Sequence, residues 1–261
     1  METWLMDAAF GVDPRGDVRR PGPGAPGLDV WLWAVWMGGR GGRQAAQTEL
    51  SALGAHRDPL IRSLAWSTSA SLIRQRGRHA AAAPLDGWAI AVADPGRVRG
   101  DPGRMEAAEV DALVGLAADH LGLGRVDVAL RLIDTAAARA DGWGPREWVW
   151  GDRVRLRVQW VLAECGLYGD DAASAARHAE RARELASECP SVRHVIKTEM
   201  IWAAARAAAG DPATALATAA SARDDAARCG LRPLAAACGQ LLDGLARDAR
   251  GAARDRARSL S

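Results

Sequence analysis

The feature that most constrains this chain is a small residue five positions after a glycine, recurring between two apolar helical stretches. Gly124-Arg125-Val126-Asp127-Val128-Ala129 is the clearest copy. Gly77 to Ala82 and Gly210 to Ala215 repeat the spacing. The pattern predicts α-hairpins in which the glycine turns the chain and the small residue lies where the two helices cross. One hairpin cannot bury its own apolar face, so the copies must stack. No segment shows sustained period-two alternation of β-branched residues, and no sheet is expected. The expected fold class is all-α: an α-α superhelix of about five helical hairpins plus a terminal capping helix.

Residues 1–10 read as a short helix. Residues 11–27 carry Pro14, Pro21, Pro23 and Pro26 and cannot be one helix. This divides the chain into an N-terminal arm or linker (1–27), a helical repeat domain (28–248) and a charged C-terminal tail (249–261). The hairpins are expected at 28–37 with 43–53, 59–76 with 79–93, 105–122 with 126–139, 146–167 with 171–188, and 191–209 with 212–228. A last helix follows at 232–248. Asp58-Pro59 supplies an N-cap and an N1 proline. Pro84 is expected to kink its helix or delay its start. Asp94-Pro95-Gly96 to Asp101-Pro102-Gly103 reads as a loop. Ala82, Ala129, Ala175 and Ala215 are the expected crossing points.

These hairpins resemble tetratricopeptide repeats, especially the divergent ones of GC-rich bacteria. Leu113, Leu116, Ala117, Gly124, Ala129, Ile133 and Ala136 fall on that family's packing positions in the third copy. Ala203, Gly210, Ala215, Ala219 and Ala222 do so in the fifth, and Trp66, Ala70, Gly77, Ala82 and Ala89 in the second. The fourth fits with one extra residue in its Gly169-Asp170-Asp171 turn, and the first is weak. The resemblance spans about residues 28–245. The crossing alanines stand further apart than in the usual repeat, and the closing proline is irregularly placed, which implies longer helices and intervening loops. The resemblance implies binding of other proteins through a concave face lined by the first helix of each pair.

Composition narrows the partners. Basic and acidic residues number 34 and 32, so no global field selects nucleic acid or a membrane. Lys197 is the only lysine, asparagine is absent, and there are eleven tryptophans. A GC-rich bacterial genome accounts for this bias better than arginine-mediated nucleic-acid binding. Cys165, Cys189, Cys229 and Cys238 show no Cys-x-x-Cys spacing and read as buried small hydrophobes of a reducing cytoplasm. Residues 1–7 do not read as a secretory signal, and the apolar run Leu28 to Met37 is too short to span a bilayer. A cytoplasmic location is expected.

Candidate sites follow from the repeat register. Arg157, Trp160 and Glu164 face the groove on one first helix, with Arg153 a turn earlier. Lys197 takes the matching place on the next, with Arg193 and His194 before it. Arg157, Trp160 and Lys197 are expected on one concave surface, and Arg153, Arg193 and His194 at its rim. The set suits a peptide carboxylate, an acidic side chain or a phosphate. In the plainer alternative, Arg153 and Arg157 pair with Asp152 and Glu164 on a solvated face. Trp143, Trp148, Trp150 and Trp160 are expected to pack between hairpins. Trp31, Trp33 and Trp36 face different sides of one helix and cannot all enter one core, so at least one is expected on the arm or a partner. Gly38 to Gly42 lacks the Gly-Lys-Ser/Thr ending of a phosphate loop and reads as a hairpin turn. No histidine pair has metal-ligand spacing and no nucleophile elbow occurs, so no catalytic residue, metal or cofactor is assigned. The expected function is a non-enzymatic scaffold binding a protein or peptide, with an acidic or carboxylate group on the partner. The alternative is a small-ligand or anion-sensing regulator using a pocket near Trp160 and Lys197. An open groove favours the first and a closed cavity the second.

Overall fold

The computed structural model describes residues 3–93 and 101–259. Among the described residues the chain is all-helical, with no strand. The helices are α1 (Thr3–Phe10), α2 (Gly27–Gly39), α3 (Arg43–Leu53), α4 (Pro59–Arg74), α5 (His79–Val92), α6 (Pro102–Gly122), α7 (Val126–Asp141), α8 (Asp152–Tyr168), α9 (Ala172–Ala186), α10 (Val192–Ala208), α11 (Pro212–Arg228) and α12 (Arg232–Ser259). Asp58 and Asp101 cap α4 and α6, each accepting backbone N–H bonds ahead of a proline in the first turn. The first of the two expected Asp-Pro-Gly turns lies outside the described residues.

Two boundaries, the start of α8 and the end of α12, differ clearly from expectation. The helix expected at 146 begins at Asp152, because Trp148–Trp150 forms a separate 3-10 turn and Gly151 leaves helical geometry at φ −128°, ψ −90°. Arg146 fixes this segment on α6, donating to the Gly103 carbonyl at 2.7 Å and to Glu106 at 2.6 Å. Pro84 does not delay α5, which begins at His79 and carries the proline inside it. The helix of α12 continues past residue 248 to Ser259.

All five hairpins turn through one left-handed residue: Gly41, Gly77, Gly124, Asp170 and Gly210, with φ between 56° and 90°. Five positions later stand Ala46, Ala82, Ala129, Ala175 and Ala215, each fully buried. The fourth hairpin therefore contains no extra residue. Asp170 occupies the position that glycine holds elsewhere, which hid the match. The first hairpin follows the same spacing through Gly41. Four of the five turns share a cap in which the residue after the left-handed one donates back to a carbonyl five positions earlier, as in Arg125 to His120 at 2.9 Å and Asp171 to Gly166 at 2.8 Å. Close approach accompanies the cap: a Cβ on Gly166 would stand 2.6 Å from the Ala175 backbone nitrogen.

Packing separates the helices into two sets. The even-numbered helices α2, α4, α6, α8, α10 and α12 each touch the next even-numbered one, and α12 returns to α2. Arg232 Nε donates to the Arg40 carbonyl at 2.8 Å across this return contact. The odd-numbered helices α3 to α11 pack on their chain neighbours outside this inner set.

The N-terminal arm is part of the packing. Gly11 accepts from the Val192 backbone at 3.2 Å, and the Pro14 carbonyl accepts from Trp36 Nε1 at 2.8 Å and Arg40 Nη1 at 3.0 Å. Trp31, Trp33 and Trp36 are all buried in one apolar cluster with α1 and the arm residue Val18. The expectation that they cannot share a core is corrected: α1 and the arm cover the side of α2 that the hairpins leave open. Cys165 and Cys238 are buried, Cys189 and Cys229 half-buried, and all four are free. Among the described residues no helix is long and apolar enough to cross a membrane.

Two substitutions test this geometry. Ala129→Leu is expected to overpack the α6–α7 crossing and cost on the order of 1–3 kcal/mol in urea unfolding. Asp170→Gly removes a side chain from a left-handed residue and is expected to raise stability by about 1 kcal/mol in the same assay.

Candidate functional site

The inner helices enclose a cavity of about 740 Å³. Its wall brings together all seven residues named from the sequence: Arg153, Arg157, Trp160 and Glu164 on α8, and Arg193, His194 and Lys197 on α10. Phe10 forms the wall at one end, against Trp31, Trp148 and His194 at ring-centroid distances of 5.8, 6.4 and 6.0 Å. Trp148, Arg153 and His194 belong to the first turns of α8 and α10 or just precede them, so α1 shuts the cavity there. Towards the last turns of the inner helices, the lining residues Gln75, Arg76, Gly122 and Tyr168 are exposed and form the mouth.

The placement corrects the expected rim. Arg153 is buried, with Nη2 donating to Asp111 Oδ2 at 2.8 Å and Nε to the Val149 carbonyl at 2.9 Å. Arg157 pairs with the other oxygen of Asp111. The local acids do not take these guanidiniums: Asp152 accepts from Arg155 at 3.0 Å, on a different face of α8. His194 is buried too, its Nδ1 2.8 Å from Ser191 Oγ and its ring stacked on Trp160 at 5.4 Å. Burial and the surrounding cations hold His194 well below the usual imidazole range, so it is neutral.

Trp160 organises the α8–α10 wall. Its Nε1 donates to Thr198 Oγ1 at 3.0 Å, which fixes the ring. Lys197 Nζ lies 4.6 Å from the ring centroid. Burial pushes Arg153, Arg157 and Arg193 down to about 10, and neighbouring guanidiniums push Arg157 and Arg193 the same way. They stay protonated at neutral pH. Burial also lowers Lys197, with Glu164 opposing and Arg157, Arg74 and Arg193 reinforcing the shift. Among the described residues no acid comes within ion-pair distance of Arg193 or Lys197. This wall is thus richer in cations than its acids, Asp111 and Glu164, can balance.

A second polar cluster stands across the cavity, where the sequence showed none. Arg74 Nε donates to Asp119 Oδ1 at 2.7 Å, and the same guanidinium pairs with the buried Asp86. His79 Nδ1 lies 3.3 Å from Asp119. Burial works against the Arg74 charge, but Asp86 and Asp119 outweigh it and hold it protonated. Burial pushes Asp86 up to about 7; Arg74 opposes that shift and Asp119 adds to it. Gly115 makes the space, since a Cβ there would stand 2.5 Å from the Asp86 carboxylate. Asp111 and Asp119 interrupt the apolar inner face of α6, and that interruption was the available signal for both. Nothing local marks Phe10 or Arg74.

No protein-family model matches the chain, and no curated protein matches it.

The Asp86 shift sets a pH dependence. The native state keeps a proton that the unfolded chain loses near 3.8. The stability from this group is full below about pH 4 and lost as pH rises through about 7. Asp86→Asn removes the dependence. In urea unfolding the variant is expected to gain on the parent protein as pH rises from about 5 to about 7.5.

Proposed function

We propose that the inner and outer helices form a tetratricopeptide-repeat-like superhelix that binds a small anionic ligand, a carboxylate or a phosphate, in its central cavity. The observation that carries this reading is the cavity itself: about 740 Å³, shut at one end by Phe10 and lined by Arg157, Arg193 and Lys197. That volume lies within the range of small-molecule sites. An anion there gains charge-assisted hydrogen bonds and relieves the mutual repulsion of the guanidiniums. The role is non-enzymatic: occupancy ties α8 and α10 to α4 across the cavity and so favours one arrangement of the inner helices. The protein- or peptide-binding scaffold is the second reading. It is favoured by the exposed cavity-facing residues Ala236 and Gln240 of α12, which offer a surface to a chain entering by its C-terminal carboxylate.

The test uses Arg193 and Lys197 rather than Arg157, because removing Arg157 leaves Asp111 short of a partner and destabilises the fold. Phosphate or succinate at low ionic strength is expected to raise the thermal midpoint of the parent protein. Arg193→Ala with Lys197→Ala is expected to weaken that binding at least about tenfold while the protein stays folded. A flat response to small anions alongside binding of peptides with a free C-terminal carboxylate would favour the second reading.

A further inference from the structure

We propose that Lys197 forms a reversible imine with the carbonyl carbon of a small 2-oxo carboxylate held in the cavity. This rests on the anionic-ligand reading and names its ligand class.

The first ground is chemical identity. Lys197 is the only lysine of the chain, so its Nζ is the only primary amine that any side chain presents. The other cations of the α8–α10 wall are guanidiniums, which remain protonated at neutral pH and do not add to carbonyls. The chain uses arginine at every other basic position, and its one lysine faces a cavity lined by Arg157, Arg193 and Trp160. Charge alone does not call for lysine there.

The second ground is geometry. The amine is placed by the Trp160 face at 4.6 Å, and that ring is itself held by Thr198. No carboxylate lies within ion-pair distance of Nζ among the described residues, so its lone pair is not committed to a salt bridge once the proton leaves. Arg193 stands one helical turn before it on α10. Arg157 lines the same cavity from α8, and the charges of both guanidiniums act on the amine. A carboxylate seated on them brings its neighbouring carbonyl carbon to the amine, the arrangement that turns a bimolecular addition into an intramolecular one.

Electrostatics acts in the same direction. Burial favours the neutral amine over the ammonium, and Arg157, Arg74 and Arg193 add to that against the opposing charge of Glu164. The Nζ lone pair attacks the carbonyl carbon, and the carbonyl oxygen takes up a proton to give the carbinolamine. The nitrogen gives up one proton, the hydroxyl takes up a second and leaves as water, and the resulting iminium gives up its remaining N–H proton to leave the imine. Glu164 lines the same cavity, and its carboxylate is the base available there to exchange these protons through solvent. Amine and 2-oxo acid give imine and water, with no change of oxidation state and no further reactant. The mouth near Tyr168 gives the water an exit.

The experiment treats the full chain with pyruvate or 2-oxoglutarate, traps imines with cyanoborohydride, and locates adducts by intact mass and peptide mapping. The expected result is one adduct at Lys197, formed about tenfold or more faster in the folded protein than in urea. It is absent from Lys197→Arg, weakened in Arg193→Ala, and formed at lower pH than on a free lysine amine. Circular dichroism confirms that both variants fold. Labelling confined to the amino terminus, or equally fast in urea, overturns the proposal. Succinate, which has no carbonyl to attack, separates the two readings in the parent protein. Thermal protection by succinate without a Lys197 adduct overturns the imine and leaves the anion site standing. Neither protection nor adduct overturns both.

Discussion

Two helices can approach closely only where no side chain larger than a methyl group stands between them. Here that condition is met at Ala46, Ala82, Ala129, Ala175 and Ala215, all fully buried. The left-handed residue five positions earlier sets the phase of the second helix so that its alanine faces the first. Because each hairpin obeys the same constraint, the first helices all present equivalent faces to one side. The cavity is the space those faces enclose, and its lining depends on the phase of every turn.

The price of a cationic interior is visible in the ion pairs around it. Asp111 bridges Arg153 and Arg157 from a different helix, and Asp86 and Asp119 jointly hold Arg74. Buried guanidiniums lose hydration and recover it only through such partners. Arg193 and Lys197 have no acid at that distance among the described residues. Their charges are left to the cavity, to the faces of Phe10 and Trp160, and to whatever enters. Under the proposed function, structural pairing and ligand recognition share one wall, divided between its residues.

The N-terminal arm gives the cavity a closed end. Without α1 and the arm after it, Trp31 and Trp148 would lose the Phe10 ring, and the α2 face that carries Trp36 would lose the Pro14 carbonyl. A proline-rich segment suits this task, since it cannot continue the helix of α1 and offers carbonyls to side-chain donors without needing a sheet. The arm therefore belongs to the architecture of the site as much as the hairpins do.

Much of the local structure was legible in the sequence. Gly77, Gly124 and Gly210 announced their turns, and the alanines that follow them announced the crossings, because both depend on backbone conformation and side-chain size within a few residues. The same spacing went unrecognised at Asp170, where a non-glycine residue takes the left-handed conformation. The expected repeat register put Arg157, Trp160 and Lys197 on adjacent first helices, and all three line the cavity. Their partners were not legible in this way. Asp111 lies 42 and 46 residues from Arg153 and Arg157, and Phe10 reaches His194 across most of the chain. The return of α12 to α2 likewise joins helices at opposite ends of the chain. Sequence determined the turns, the crossings and the inward face of each helix, because those are local. The tertiary structure alone decided that the faces line a cavity, and which cations find an acid and which do not among the described residues, because that depends on contacts between helices distant in the chain.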